Sequence, residues 1–328
     1  MKSRKYHIQL FLLVALSFLL ITAGYNSQLT QKTYIQNSQS QTSDCRIIQH
    51  ELGKTCVPLQ AQRIIATDEI ALDAILALGL KPIAAGENAF ARSRVRQLSG
   101  NLEGIISIGK DIQINIEKMV QLHPDLIVGF YFTPHEYKLF SLIAPTVKLE
   151  SKYLKDGWKE SLQQVGEILD TSKQAQDKLV QYQQRVKQLR KSIEQKIGKV
   201  EVSVIRFYAA TTNPTIETIL SFTGSILQEV GFSVPMRQFQ YTTTQNTAFL
   251  NVSLERLDLL DADVLFVMLN RGAEKSFKMY EKSQLWQSLK AFKNNKVYIV
   301  DSSYWYFGNI LAANAILDDL FKYIIESS

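Results

Sequence analysis

The chain has 328 residues, 46% of them hydrophobic and 21% charged, which suits a folded globular protein with room for two cores of ordinary domain size. Its formal charge is +6, but Lys2, Arg4 and Lys5 carry three of those charges; without them the balance is 34 basic against 31 acidic residues, or +3. That excludes a nucleic-acid footprint, so nucleic acid is not an expected partner.

The N-terminus reads as a targeting segment. After the basic start, residues 8–21 are apolar apart from Gln9 and Ser17, a run with the length of a secretory core and too short for a comfortable membrane span. Residues 1–24 are therefore expected to be a signal peptide or N-terminal anchor, with Thr22, Ala23 and Gly24 as small residues for cleavage. No cysteine follows the run, which argues against a lipid anchor. Residues 25–44 are rich in Gln, Ser, Thr and Asn and read as a flexible linker. Export makes sense of Cys45 and Cys56, which can pair as a structural disulfide in an oxidising compartment. A metal or redox pair would need CxxC spacing, which is absent.

From there the chain alternates strand and helix signals. A strand is expected at 63–66, a helix at 69–78 ended by Gly79, a strand at 81–85, the loop GENAFARSRVR, and a strand at 105–108. Residues 115–129, NIEKMVQLHPDLIVG, then recur in outline at 253–267 as SLERLDLLDADVLFV. Laid over each other, Asn115 falls on Ser253, Glu117 on Glu255, Leu122 on Leu260 and Asp125 on Asp263. Each copy predicts an N-capped amphipathic helix feeding a buried parallel strand. A helix at 137–142 and a strand at 146–149 close the first half.

The period then changes. Over 172–198 apolar residues fall at Ala175, Leu179, Tyr182, Val186, Leu189, Ile193 and Ile197, a narrow helical stripe with Gly198 at its end. Such a helix is about 39 Å long. The spacing also fits a coiled-coil segment, but its place between two alternating halves favours a stiff strut. The second half predicts a strand at 199–208, a helix at 222–230 ended by Gly231, a polar loop QYTTTQNTA, the second copy of the unit, a helix at 285–292, a strand at 296–300 and a closing helix at 312–325. The expected fold is thus α/β: two Rossmann-like lobes at 45–150 and 199–328, joined through a connector at 151–198 that holds one long rigid helix. Two-lobed chains place their ligand in the crevice between the lobes.

Catalytic chemistry finds no foothold. Residues 104–110 match GxxxxGK, but Asp111 follows where a phosphate loop needs Ser or Thr to hold magnesium. There is no HExxH, GxSxG or GxGxxG, and the four histidines are scattered. No catalytic residue, cofactor or direct metal ligand set is expected. Binding chemistry is more visible. Tyr304, Trp305, Tyr306 and Phe307 are consecutive, so they cannot all face one core; the run suits a cleft wall or a partly buried plug. Arg92, Arg94 and Arg96 share a loop that suits either a ligand or plain solvent. Arg206 interrupts an apolar strand end in VSVIRFY, with Tyr208 two residues on. A strand's carboxyl end is where α/β folds gather ligands, and a guanidinium suits carboxylate, catecholate or hydroxamate oxygens. Glu117 and Glu255 suit the helix dipole wherever they serve. Their matching places would also suit docking onto a two-fold symmetric basic partner.

Taken together, RIIATDEIALDAILALGLKPIAAG, INIEKMVQLHPDLIVG, VSLERLDLLDADVLFV and LWQSLKAFKNNKVYIVDSSYWYFGN resemble the blocks of the periplasmic substrate-binding proteins of iron–siderophore ABC transporters, the class III type with a rigid helix between lobes. The resemblance runs from about Cys45 to the C-terminus. It implies a periplasmic, non-enzymatic monomer, tethered or free, that captures a ferric siderophore and delivers it to an ABC permease dimer in the inner membrane. It further implies that Glu117 and Glu255 dock on permease arginines, that Arg206 and Trp305 touch the ligand, and that Tyr131 is a first-lobe contact. Tyr304, Tyr208, Arg92 and Arg94 complete the candidate ligand-binding set. An arginine that some hydroxamate binders carry before the N-x-E motif is replaced by Lys110 and Asp111, and a family glycine pair by Gly308-Asn309. The expected ligand is a hydroxamate or citrate-based ferric siderophore. Cobalamin and haem carriers share the architecture, and an exported enzyme acting on a siderophore or polysaccharide is the alternative from another class.

Overall fold

The computed structural model describes residues 45–89, 102–150, 157–209 and 213–326. The expected signal (1–24), the linker (25–44) and the loop arginines Arg92, Arg94 and Arg96 lie outside the described residues. The described residues from Ile47 onward form one compact unit.

The first lobe opens with a two-stranded sheet of β1 (Cys45–His50) and β2 (Gly53–Pro58); Cys45 and Cys56 are both disulfide-bonded. There follow β3 (Ile64–Ala66), α1 (Glu69–Ala77), β4 (Ala84–Glu87), β5 (Ile106–Lys110), β6 (Gln113–Ile114), α2 (Ile116–Gln121), β7 (Leu126–Gly129), α3 (Pro134–Ser141) and β8 (Thr146–Lys148). Their six-stranded sheet runs β6-β5-β4-β3-β7-β8, parallel except for β6. Every residue of β3 and β7 is buried, as apolar runs between two helical layers require. The connector is α4 (Gly157–Ile168) and α5 (Ser172–Lys196). Along α5 the buried positions are Ala175, Leu179, Tyr182, Val186, Leu189 and Ile193, the stripe expected from spacing.

The second lobe comprises β9 (Val202–Phe207), β10 (Thr215–Glu217), α6 (Phe222–Glu229), α7 (Met236–Gln245), β11 (Phe249–Asn251), a 3-10 segment (Leu254–Leu260), β12 (Val264–Leu269), α8 (Glu274–Glu281), α9 (Gln284–Ser288), α10 (Lys290–Lys293), β13 (Val297–Val300), α11 (Ser302–Trp305) and α12 (Ile310–Leu320). Its five strands run β11-β10-β9-β12-β13; β9, β12 and β13 are parallel, while β10 and β11 form an antiparallel margin. The two lobes are therefore similar in plan, not copies.

Three differences from the sequence expectations have clear causes. The polar stretch QYTTTQ lies in helix α7, not a loop: Gln238 accepts from buried Ser203 Oγ of β9 at 2.8 Å, which seats the helix, and the hydroxyls of Thr242, Thr243 and Thr244 are satisfied by carbonyls of the preceding turn. In the second copy of the repeated unit the helix is 3-10 and kinked at Arg256. Its buried Leu257, Leu259 and Leu260 are not spaced as one α-helical face. The helix expected at 285–292 is two short ones, broken where Leu289 turns extended with ψ 141°.

One hydrophobic cluster crosses the molecule. It includes Leu72 and Ile75 of α1, Trp158 and Leu162 of α4, the stripe of α5, Phe222 and Ile226 of α6, and Ile316 and Leu317 of α12. Each lobe adds a smaller cluster on the far face of its sheet. Each large apolar side chain buried in the shared cluster contributes roughly 1.5–3 kcal/mol, so the lobes are joined by core and not by a strut alone.

Candidate functional site

A cavity of about 480 Å³ lies where the two lobes meet. Its first-lobe walls are Glu69, Ile70, Asp73, Asn88, Asp111, Ile112, Tyr131, Thr133 and Glu136; its second-lobe wall is Ser303, Tyr306, Phe307 and Gly308. Asn88 follows β4, Asp111 follows β5, Tyr131 follows β7, and the second wall follows β13. The cavity thus sits at the carboxyl ends of parallel strands, the usual ligand position in open α/β sheets.

Local sequence explains how these groups are presented. Asp68 caps α1 by accepting from Ala71 N at 3.0 Å, and the same carboxylate accepts from Phe130 N at 2.7 Å. This ties the start of α1 to the end of β7 and fixes where Tyr131 emerges. The closeness requires Gly129: a Cβ there would lie 1.6 Å from Thr67 Oγ1. Tyr131 is 38% exposed and lines the cavity. Thr133 and Glu136 form a capping box for α3, with Thr133 N donating to Glu136 Oε2 at 2.7 Å and Glu136 N to Thr133 Oγ1 at 3.2 Å.

Among the described residues no lysine or arginine lines the cavity, whereas four carboxylates do. Three of these already serve backbone N–H groups. Glu136 is in its capping box, Asp111 Oδ1 accepts from Ala89 N at 3.1 Å, and Asp73 accepts from Asn309 N, Leu311 N and Ala312 N at 2.9–3.0 Å. Burial pushes the Asp111 carboxyl up and pushes Asp73 up to about 6, the backbone donors acting in the opposite direction. The groups facing a ligand here are chiefly apolar and aromatic: Ile70, Ile112, Tyr131, Tyr306 and Phe307.

A cation stands directly behind that wall. Arg206, near the end of β9, is 3% exposed; its guanidinium lies over the rings of Tyr306 and Tyr208 and donates to Tyr208 Oη. Tyr208 Oη is in turn 2.9 Å from Thr215 Oγ1. Glu217, 2% exposed, lies 3.9 Å from Arg206 Nε, too far for a hydrogen bond. Arg206 Nε and Nη1 have no hydrogen-bond partner among the described residues. Burial pushes the Glu217 carboxyl up to about 8 although the nearby guanidinium opposes it. Burial also lowers the Arg206 value, with Glu217 and Tyr306 acting against the shift, yet a guanidinium stays charged at neutral pH.

Two of the candidate contacts lie away from the cavity. Trp305 is fully buried and Tyr304 nearly so; neither lines the cavity. The short helix α11 turns both inward, where Trp305 Nε1 and Tyr304 Oη donate to Asp319 Oδ2 at 2.8 and 2.7 Å and Trp305 packs on Phe266 with centroids 4.6 Å apart. One carboxylate satisfies both aromatic donors, so Tyr306 and Phe307 face the cavity instead. Tyr208 is half-buried, does not line the cavity, and bonds to Arg206 and Thr215. Asp73 is a site residue that local sequence signals only indirectly: a carboxylate inside ALDAILALG, on a helix buried nearly all round, needs buried donors. Glu117 and Glu255 are both exposed, each in the first turn of the helical segment before β7 and β12. Asn115 Oδ1 caps the first by accepting from Lys118 N, whereas Ser253 Oγ donates to Glu255 itself.

The family model described as "Periplasmic binding protein" matches residues 64–304. The chain belongs to that family. Over 98% of its length it is 28% identical to a Bacillus subtilis (strain 168) protein named "Probable siderophore-binding lipoprotein YfiY", covering 99% of that relative. It is 31% identical to the achromobactin-binding periplasmic protein of Dickeya dadantii (strain 3937), over 79% of this chain and 85% of the relative. The fold is similar to that of Staphylococcus aureus SirA complexed with staphyloferrin B, with a TM-score of 0.74 at 25% identity, covering 85% of this chain and 98% of that one. The architecture of two sheet-containing lobes is that of this family, whose members are binding proteins of transport systems.

Proposed function

We propose that this chain is the substrate-binding component of an ABC importer and that it captures a ferric siderophore in the cavity between its lobes. The observation that carries the reading is the cavity itself: about 480 Å³ at the strand carboxyl ends, walled by Tyr131, Tyr306 and Phe307, with the buried charge of Arg206 behind Tyr306. Aromatic faces suit a bulky chelate, and a buried guanidinium offsets the negative charge of carboxylate, hydroxamate or catecholate oxygens. Iron is cargo here, held by its chelator. The relatives named for siderophores support the ligand class.

The same reading has the chain exported by residues 1–24, carried on the linker 25–44, and working as a monomer. It docks through Glu117 on the first lobe and Glu255 on the second onto basic residues of a permease dimer. Titration of the purified protein with ferric dicitrate, a ferric hydroxamate, a ferric catecholate, haem and cobalamin, followed by intrinsic fluorescence, tests the ligand class. Saturable quenching by a ferric siderophore is expected; quenching by cobalamin or haem alone would overturn it.

A further inference from the structure

We propose that Asp73 is a positioning residue for ligand capture: from the first-lobe helix α1 it holds the N-terminus of the second-lobe helix α12 and thereby sets the aromatic wall that closes the cavity. The inference rests on the reading of that cavity as the ligand site. Asp73 is 1% exposed and accepts three backbone N–H bonds, from Asn309 at 3.0 Å, Leu311 at 2.9 Å and Ala312 at 2.9 Å. These donors are more than 230 residues away in sequence and belong to the segment that immediately follows Tyr306, Phe307 and Gly308.

The geometry makes this a joint and not an ordinary cap. A helix start leaves its first N–H groups without partners of its own, and a side chain of the preceding residue normally takes one of them. Here the preceding residue Asn309 does so for Ile310 N at 2.8 Å, and the other first-turn donors are taken by a carboxylate of the opposite lobe. Asn309 is fully buried and its Nδ2 points to Trp158 O of the connector at 3.4 Å. Gly308 completes the fit: a Cβ there would lie 2.1 Å from Ala312 Cβ and 3.6 Å from Asp73 Oδ2. Asp73 and Gly308 both line the cavity, so movement of α12 relative to α1 moves a cavity wall directly. A pinned wall lowers the ordering cost of closing on a ligand.

Amide hydrogen exchange on the full apo protein tests the joint without any ligand. First-turn amides of a helix are ordinarily poorly protected. In the wild type the amides of Asn309, Leu311 and Ala312 are expected to exchange as slowly as those within α1; rapid exchange at all three would overturn the proposal whatever any variant does. In Asp73→Asn, which keeps the volume but turns an amide N–H₂ toward the donors, protection at these amides and across residues 303–308 is expected to fall by about tenfold or more while the β7 and β12 amides keep theirs. A uniform loss across the protein, or no loss at the three amides, would overturn it, because either result describes general stability only. Binding of ferric dicitrate is expected to weaken by about tenfold in Asp73→Asn at temperatures where both proteins are folded. Unchanged affinity in a variant with lost protection would remove the positioning role. A wild type that binds no ferric chelate would instead defeat the ligand assignment and leave the exchange result to decide the joint.

Discussion

The ring of Tyr306 lies over the guanidinium of Arg206, so the buried cation at the end of β9 stands behind an aromatic face that lines the cavity. Arg206 also lies over the ring of Tyr208, and its Nε and Nη1 are buried. A buried charge is costly unless other groups offset it. The aromatic faces do so in part, and the anionic ligand proposed beyond Tyr306 adds to them through space.

Replacing Arg206 therefore separates charge from shape. Arg206→Ala is expected to weaken ferric-siderophore binding by about tenfold, because the buried charge acts on the ligand through the Tyr306 ring and not by contact. Arg206→Lys is expected to recover only part of this, since an ammonium cannot reproduce the planar fork. Fluorescence titration at constant ionic strength checks both, and equal affinity in Arg206→Ala and wild type would remove Arg206 from the site.

Glu217 gives a pH dependence with a definite sign. Its folded value, about 8, lies above its ordinary carboxylate value, so the native state favours the protonated form. The associated stability is fully present below the unfolded value near 4.5 and is lost as pH rises through about 8. Urea unfolding at pH 5 and pH 8.5 is expected to show this loss in the wild type and a smaller one in Glu217→Gln.

Trp305 is expected to matter for stability and not for affinity. Trp305→Phe leaves Asp319 with one aromatic donor in place of two and opens space beside Phe266. The cost is about 1–3 kcal/mol. A lower melting temperature with unchanged ligand affinity is the expected pair of results.

Gly129→Ala tests how tightly the base of the cavity is built. The added methyl group would fall 1.6 Å from Thr67 Oγ1 and 2.8 Å from Asp68 Oδ2. The Thr67 side chain must turn away and give up its 3.2 Å contact with Asp68 Oδ2, and its Cβ still crowds the methyl, at a cost of about 1–3 kcal/mol. A soluble variant with wild-type stability would show that the approach of these strands is not fixed.

Charge reversal at Glu117 and Glu255 addresses docking. Because both side chains are exposed, the double Arg variant is expected to fold and bind ligand normally while iron uptake in cells falls to background. Normal uptake would remove the docking role.

Much of the architecture was legible because it depends on local periodicity. The α5 stripe, the buried strands β7 and β12, and the helix stops at Gly79, Gly198 and Gly231 follow from spacing and backbone conformation. The α7 helix was not legible, since the partners that make its threonines and Gln238 acceptable include Ser203 on β9, 35 residues earlier in sequence. The aromatic run was legible as a set but not residue by residue. Which of four adjacent rings faces the cavity depends on Asp319, a turn and a helix away, whose carboxylate collects the Trp305 and Tyr304 donors.

By itself, then, the sequence determined an α/β chain with a long connecting helix and twin helix–strand units, because side-chain period and turn residues act over a few positions and need no distant partner. Only the tertiary structure decided that Tyr306 and not Trp305 faces the cavity, that Arg206 is sheathed in tyrosine beside Glu217, and that Asp73 grips the start of α12. Each of these is a question of which buried polar groups are brought together, and the neighbours lie from about ten to more than 200 residues away.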